Sequence, residues 1–197
     1  GFRNAGRRAR SDASAASQVW SSHFGAGCGC GWSAAQRLDK LDGHAPLVVV
    51  DSLGNATAMW SGRSEAGKTG SAAWANRYVA GSGWGEPQRL AADPDAADVT
   101  ARDSDAADAL AVDARGNVMA LWTDSTAADE TGLHRLRASR YVAATGWDAP
   151  VTLDELDPIE VGFSASLALA PSGQGVAVWA INRNFGQGDS VSAAEFK

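Results

Sequence analysis

The chain has 197 residues, of which 45% are hydrophobic and 20% charged, and its formal net charge is −6. That length supports one globular domain with a buried core, and that composition excludes a disordered polymer. The acidic balance argues against nucleic acid as a partner, two cysteines are too few for a disulfide scaffold or a four-Cys zinc site, and no run of about 18 apolar residues is present, so no membrane span is expected.

Arg3, Arg7, Arg8 and Arg10 make the first residues basic, and 1–16 reads as a flexible segment. It has no apolar core after its arginines, so it is not a secretory signal as it stands. With no initiator methionine, the chain is expected to be a fragment or a processed product.

From residue 17 onward one pattern recurs. A short apolar run leads to a turn with glycine and then to a strand ending in Trp. The first copy reads Pro46-Leu47-Val48-Val49-Val50-Asp51, Gly54-Asn55, Ala58-Met59-Trp60. The second reads Ala109-Leu110-Ala111-Val112-Asp113, Gly116-Asn117, Ala120-Leu121-Trp122, and the third Ser166-Leu167-Ala168-Leu169-Ala170, Gly173-Gln174, Ala177-Val178-Trp179. A second half follows: Trp74 to Tyr78 then Gly83-Trp84, Pro87 and Leu90, and Arg137 to Tyr141 then Gly146-Trp147, Pro150 and Leu153. Trp20 to Phe24 with Gly31-Trp32 and Leu38 forms the same half upstream, and Ser192 to Phe196 starts it again downstream. Repeats are therefore expected over about 45–91, 108–153 and 165–196, with a half-unit at 17–38.

Trp60, Trp122 and Trp179 lie 62 and 57 residues apart. A period of that length with four strand-like segments and no 3.6-residue periodicity predicts an all-β fold of β-propeller blades. Val48–Val50 is a continuous apolar run, which predicts a strand buried on both faces. Gly54 can supply the positive φ that a tight hairpin needs. The three tryptophans are expected between neighbouring sheets. Pro87 removes a ladder donor, which places the last strand at an edge. About three blades do not close a ring, so self-association or further blades in a longer chain are expected.

The order of an inner apolar strand, Asp-x-x-Gly-Asn, a strand to Trp, and Gly-Trp-x-x-Pro-x-x-Leu resembles bacterial sialidase-like, BNR-type propeller repeats. The Asp-box, Ser-x-Asp-x-Gly-x-Thr-Trp, is absent, since Asn76 to Trp84 lacks its Asp. The catalytic arginine triad and Tyr–Glu pair of that family have no counterparts that can be placed. Arg77 and Arg140 share one repeat position, which points to structural use. The resemblance implies the fold and an exported protein, secreted, periplasmic or at the cell surface, and carries no activity.

Three groups are candidate sites. Trp20, Trp74 and Arg137 occupy one repeat position that is Ser192 in the last copy, and a position that tolerates such different residues reads as a surface where a ligand could sit, against the plain alternative of side chains that simply cover the sheet. His23, Cys28 and Cys30 offer imidazole and thiolate for zinc or copper in one loop, against the plain alternative of a two-residue insertion. Asp93, Asp95, Asp103 and Asp105 offer oxygens to calcium, without EF-hand spacing, against a solvated acidic loop. No Gly-x-Ser-x-Gly elbow, P-loop or dinucleotide fingerprint is present. The expected function is a non-enzymatic binding or scaffold module for glycan or protein. The alternative is part of a sialidase-like glycoside hydrolase whose catalytic blades lie outside this segment.

Overall fold

The computed structural model describes residues 17–25, 31–63, 71–90, 107–125, 134–156, 160–183 and 190–196. The described residues are strands and turns, with no helix among them.

The first strands form a half-sheet. β1 (Trp20–Ser21) pairs with β4 (Gln36–Arg37), and β2 (Phe24–Gly25) pairs with β3 (Gly31–Trp32), all antiparallel. Blade 1 follows as β5 (Gly43–Val50), β6 (Ala56–Arg63), β7 (Ser71–Val79), β8 (Gly83–Trp84) and β9 (Gln88–Arg89). Its order is β5-β6-β7, with β8 and β9 sharing the far edge of β7. Blade 2 repeats this with β10 (Ala107–Val112), β11 (Val118–Ser125), β12 (His134–Val142), β13 (Gly146–Trp147) and β14 (Val151–Leu156). Blade 3 is β15 (Glu160–Leu169), β16 (Gly175–Arg183) and β17 (Ser190–Phe196).

Outer strands are broken in all three sheets that have them: β8 and β9 flank Pro87, β13 and β14 flank Pro150, and β3 and β4 flank Ser33-Ala34-Ala35 with no proline. The edge strand therefore breaks with or without proline, and proline, which cannot donate to the ladder, is tolerated there. The register of β5 on β6 shifts between His44 and Leu47, across Ala45 and Pro46. Ala45 takes φ 49°, the left-handed region that a bulge can require.

Three apolar layers lie between successive sheets. Val19 and Leu38 of the half-sheet pack with Ala58 and Trp60 of blade 1. Met59, Ala75 and Leu90 of blade 1 pack with Ala120 and Trp122 of blade 2. Leu121, Leu136 and Ala138 of blade 2 pack with Ala177, Trp179 and Ile181 of blade 3. Side chains alternate along a strand. The Trp within each second strand, which runs three or four residues beyond the end expected from sequence, therefore faces the preceding sheet, and the residue before it faces the following one. Trp60 and Trp122 are buried to 1% exposure and Trp179 to 5%, as expected of a stacking layer. Burying an indole contributes about 2–3 kcal/mol by area. Antiparallel sheets stacked face to face through such layers are β-propeller blades.

One expectation fails. Val48 and Val50 are 62% and 59% exposed, so the apolar run of β5 is not buried on both faces. Both point toward the half-sheet, whose strands among the described residues stand at the third and fourth blade positions. Their counterparts in blades 2 and 3, Leu110, Leu167 and Leu169, are partly buried against a complete preceding blade.

Candidate functional site

The recurrent Asp-x-x-Gly-Asn turn builds a polar lock between blades. In blade 1 the Asp51 Oδ1 accepts the backbone N–H groups of Leu53 and Asn55, both at 2.9 Å. Its Oδ2 accepts the Asn55 amide at 3.0 Å and the Arg77 guanidinium at 2.8 Å. Arg77 also donates to the Thr57 hydroxyl at 2.8 Å, and its guanidinium carbon lies 5.3 Å from the centre of the Tyr141 ring in blade 2. Blade 2 repeats the turn: Asp113 accepts from Arg115 N at 2.8 Å, Asn117 N at 2.9 Å and the Asn117 amide at 2.8 Å.

Each carboxylate is also pressed against the next blade. A Cβ placed on Gly116 would meet Asp51 Oδ2 at 2.8 Å, and one on Gly173 would meet Asp113 Oδ2 at 3.0 Å. Burial alone would raise both carboxyl pKa values. The Asn side chain, the two backbone N–H groups and the arginine charge outweigh it and hold both below the ordinary range. These aspartates are fixed, ionised acceptors. Blade 3 has Ala170 at this position, and its turn closes through backbone bonds, Ala170 N to Gln174 O at 2.7 Å and Gly173 N to Ala170 O at 2.9 Å.

The half-sheet carries His23 where blades 1 and 2 carry Arg77 and Arg140. His23 is exposed, its backbone N–H donates to the Ser33 hydroxyl at 3.1 Å, and its ring centre lies 5.5 Å from that of Tyr78 in blade 1. It thus stacks on the following blade's tyrosine as Arg77 does. Cys28 and Cys30, its proposed partners, lie outside the described residues, as do Asp93, Asp95, Asp103 and Asp105. Among the described residues no group of three or more His, Cys, Asp or Glu side chains is placed to hold a metal ion.

Trp20, Trp74 and Arg137 do occupy equivalent positions, one per sheet, and the structure does not bring them together. Trp74 stands opposite Trp60 across the β6–β7 ladder, is half-buried against the first apolar layer, and donates its indole N–H to the Arg63 carbonyl at 3.1 Å. The Arg137 side chain stands opposite Trp122, is only 12% exposed, and has Nη1 3.9 Å from Asp124 Oδ2. The reading of this position as a surface fails in blades 1 and 2: Trp74 packs against the layer shared with the half-sheet, and the Arg137 side chain is mostly buried. Trp20 alone is exposed, at 55%.

That exposure belongs to a feature the sequence did not announce. A cleft of about 580 Å³ opens between the half-sheet and β5–β6. Its walls are Trp20, Phe24 and Trp32 of the half-sheet on one side and Val48, Val50, Ala56, Ala58 and Trp84 of blade 1 on the other. It lies where a complete blade would hold its first two strands. Among the described residues the strand edge of β1 facing it has no ladder partner, whereas the equivalent edge of β7 is paired along its length with β6. The sequence signal for the cleft is the half-unit at 17–38, whose landmarks match the second half of a repeat.

No protein-family model and no curated protein matches the chain. Solved structures similar to it include the endo-arabinase of Bacteroides thetaiotaomicron, at TM-score 0.46 and 16% identity over 80% of this chain and 57% of that one. Trypanosoma rangeli sialidase is similar at TM-score 0.44 and 12% identity, over 83% of this chain and 32% of that one. The chain spans less than two thirds of the length of either.

Proposed function

We propose that the chain is a non-enzymatic binding and scaffold module, and that its working surface is the cleft beside β1, which takes a protein segment in extended conformation. The observation that carries this reading is the open strand edge of β1 at the mouth of an apolar, aromatic cleft. An exposed edge offers main-chain hydrogen bonds to an added strand, and alternate side chains of that strand find apolar walls. A sugar site would want several polar groups converging beside its aromatic platform. Here the polar lining is Ser21, Ser22, His23 and Tyr78 among many apolar side chains.

The rival reading, a portion of a sialidase-like hydrolase, places the catalytic blades outside this segment. Asp51 and Asp113, held by their turns, are structural under either reading. The test is titration of 15N-labelled protein with extended peptides and, separately, with oligosaccharides. The Trp20 and Trp32 indole signals are expected to move with peptides and to stay still with sugars. Shifts with sugars alone, or release of sugar from an aryl sialoside by this chain, would overturn the proposal.

A further inference from the structure

We propose that a pocket between blades 1 and 2 holds one neutral pyranose ring of a carbohydrate. The pocket has a volume of about 140 Å³, shares no lining residue with the cleft, and lies between two five-stranded sheets. It belongs to the middle of the stack and is independent of what the cleft binds. A single water needs roughly 10–15 Å³ of such space, so the pocket has room for a small ligand.

The two blades build the pocket from facing sides. In blade 1, Thr57 stands opposite Arg77, and Gln88 stands opposite Ala75. Cross-strand partners share a face, and this is the face on which Met59 and Ala75 pack against blade 2. In blade 2, Tyr141 and Trp147 are partners across β12–β13, with ring centres 5.4 Å apart and planes at 60°. Glu86 comes from the break between β8 and β9. That break is fixed by the Gly85 N–H, which donates to the Arg77 carbonyl at 2.9 Å, and by the Asn76 amide, which donates to the Gly85 carbonyl at 3.0 Å. Glu86 and Gln88 are exposed and stand at the mouth, while Tyr141 and Trp147 are half-buried and form the blade 2 wall.

Stacking alone does not require these groups. At the boundary of blades 2 and 3, Thr57 is replaced by Met119, Glu86 by Ala149, Gln88 by Val151 and Tyr141 by Phe196. Met119 and Phe196 pack in the apolar layer there. The shorter Thr57 leaves open the space that a methionine fills one blade further on, and polar side chains line it.

A pyranose presents apolar C–H faces and a belt of hydroxyls that both donate and accept. The Trp147 and Tyr141 rings offer an apolar platform to such a face. The Glu86 carboxylate accepts, and the Gln88 amide donates and accepts. Arg77 gives one N–H to Thr57 and one to Asp51, and a guanidinium carries five. Several polar groups beside an aromatic platform are what a sugar site requires. Each charge at the pocket already has a counter-ion, Arg77 in Asp51 and Glu86 in Lys40. That balance favours a neutral sugar over an acidic one.

The test titrates the 15N-labelled chain with D-glucose, D-galactose, D-mannose and N-acetylglucosamine, and with sialic acid as the acidic comparison. The Trp147 indole signal, assigned through Trp147→Phe, is expected to shift with at least one neutral sugar at a Kd on the order of 1–10 mM. The Trp20 and Trp32 signals should stay still in the same samples. Thr57→Met fills the pocket and Gln88→Val removes its amide, each installing the residue that blade 2 has at that position. Each is expected to weaken binding by at least about 10-fold while the urea midpoint stays close to wild type. A Trp147 signal unmoved by every neutral sugar at about 100 mM, a shift that survives both substitutions, or a shift with sialic acid alone would overturn the inference. Peptide shifts at Trp20 without sugar shifts at Trp147 leave the strand-binding reading standing and this one refuted; sugar shifts at Trp20 and Trp32 with Trp147 still refute both.

Discussion

Gly116→Ala probes the contact between blades 1 and 2 more sharply than any truncation. Gly116 has φ +80°, a conformation that costs a residue with a Cβ about 1–2 kcal/mol. Its new methyl would also stand 2.8 Å from Asp51 Oδ2 and 3.4 Å from Arg77 Nη2. The carboxylate cannot swing away freely, because its side chain is 2% exposed and is held by two backbone N–H groups, an amide and a guanidinium. Displacing it gives up a charge-assisted hydrogen bond, a further loss of about 1.5–3 kcal/mol. The expected total is about 3–4 kcal/mol. Gly146→Ala is the control: its φ is +86°, and nothing lies within 4 Å of the added atom, so about 1–2 kcal/mol is expected. Urea denaturation of the two variants measures the difference, about 2 kcal/mol, provided the slopes agree. In an Asp51→Ala background the penalty at Gly116 should fall to that at Gly146, which makes the pair a double-mutant cycle. Equal penalties at the two glycines in the wild-type background would refute the inter-blade lock.

Three further outcomes follow from the same packing. Trp122→Ala should cost about 3–5 kcal/mol in urea melts, because the indole is 1% exposed and the cavity left between Met59 and Ala120 cannot collapse fully. Trp74→Ala should destabilise by more than about 1 kcal/mol and Trp20→Ala by less than about 0.5 kcal/mol, although sequence gives them one repeat position; equal costs would contradict the packing of Trp74 against the layer shared with the half-sheet. Stability should fall in acid. Asp51 and Asp113 have carboxyl pKa values lowered by folding, so their contribution is complete above the unfolded value of about 3.9 and is lost as pH drops through the lower folded values. Melts at pH 7 and pH 3 should show this loss, and Asp51→Asn should make it smaller.

The architecture was legible because its signals are local and repeated. A Gly six residues before a Trp marks a hairpin whose second strand enters the stacking layer, and three such marks define the sheets. The shared position of Arg77 and Arg140 in two successive repeats also pointed to structural use, which the Asp51–Arg77 bond bears out in blade 1. The aspartate lock was missed although its signal was present: Asp51 and Asp113 recur ahead of arginines on the third strand. The misreadings came from treating each repeat as having the same neighbours. Val48 and Val50 look like a doubly buried strand and are exposed because the described strands of the sheet before them do not reach over β5. Arg137 looks like a variable surface residue and is mostly buried, because variation there is absorbed by local partners, Arg63 O for Trp74 and Asp124 for Arg137. The cleft depends on how far the described strands of one sheet reach over the next, a matter of register between distant segments that no single stretch of sequence displays.

Nuclear Overhauser contacts from the indole rings test the stacking most directly. The three layers place Trp60 beside the Val19 and Leu38 methyls, Trp122 beside Met59 and Leu90, and Trp179 beside Leu121 and Leu136. Each tryptophan should therefore show methyl contacts to the repeat that precedes it. Indoles that contact methyls only of their own repeat, or of the one that follows, would contradict the stacked-blade account.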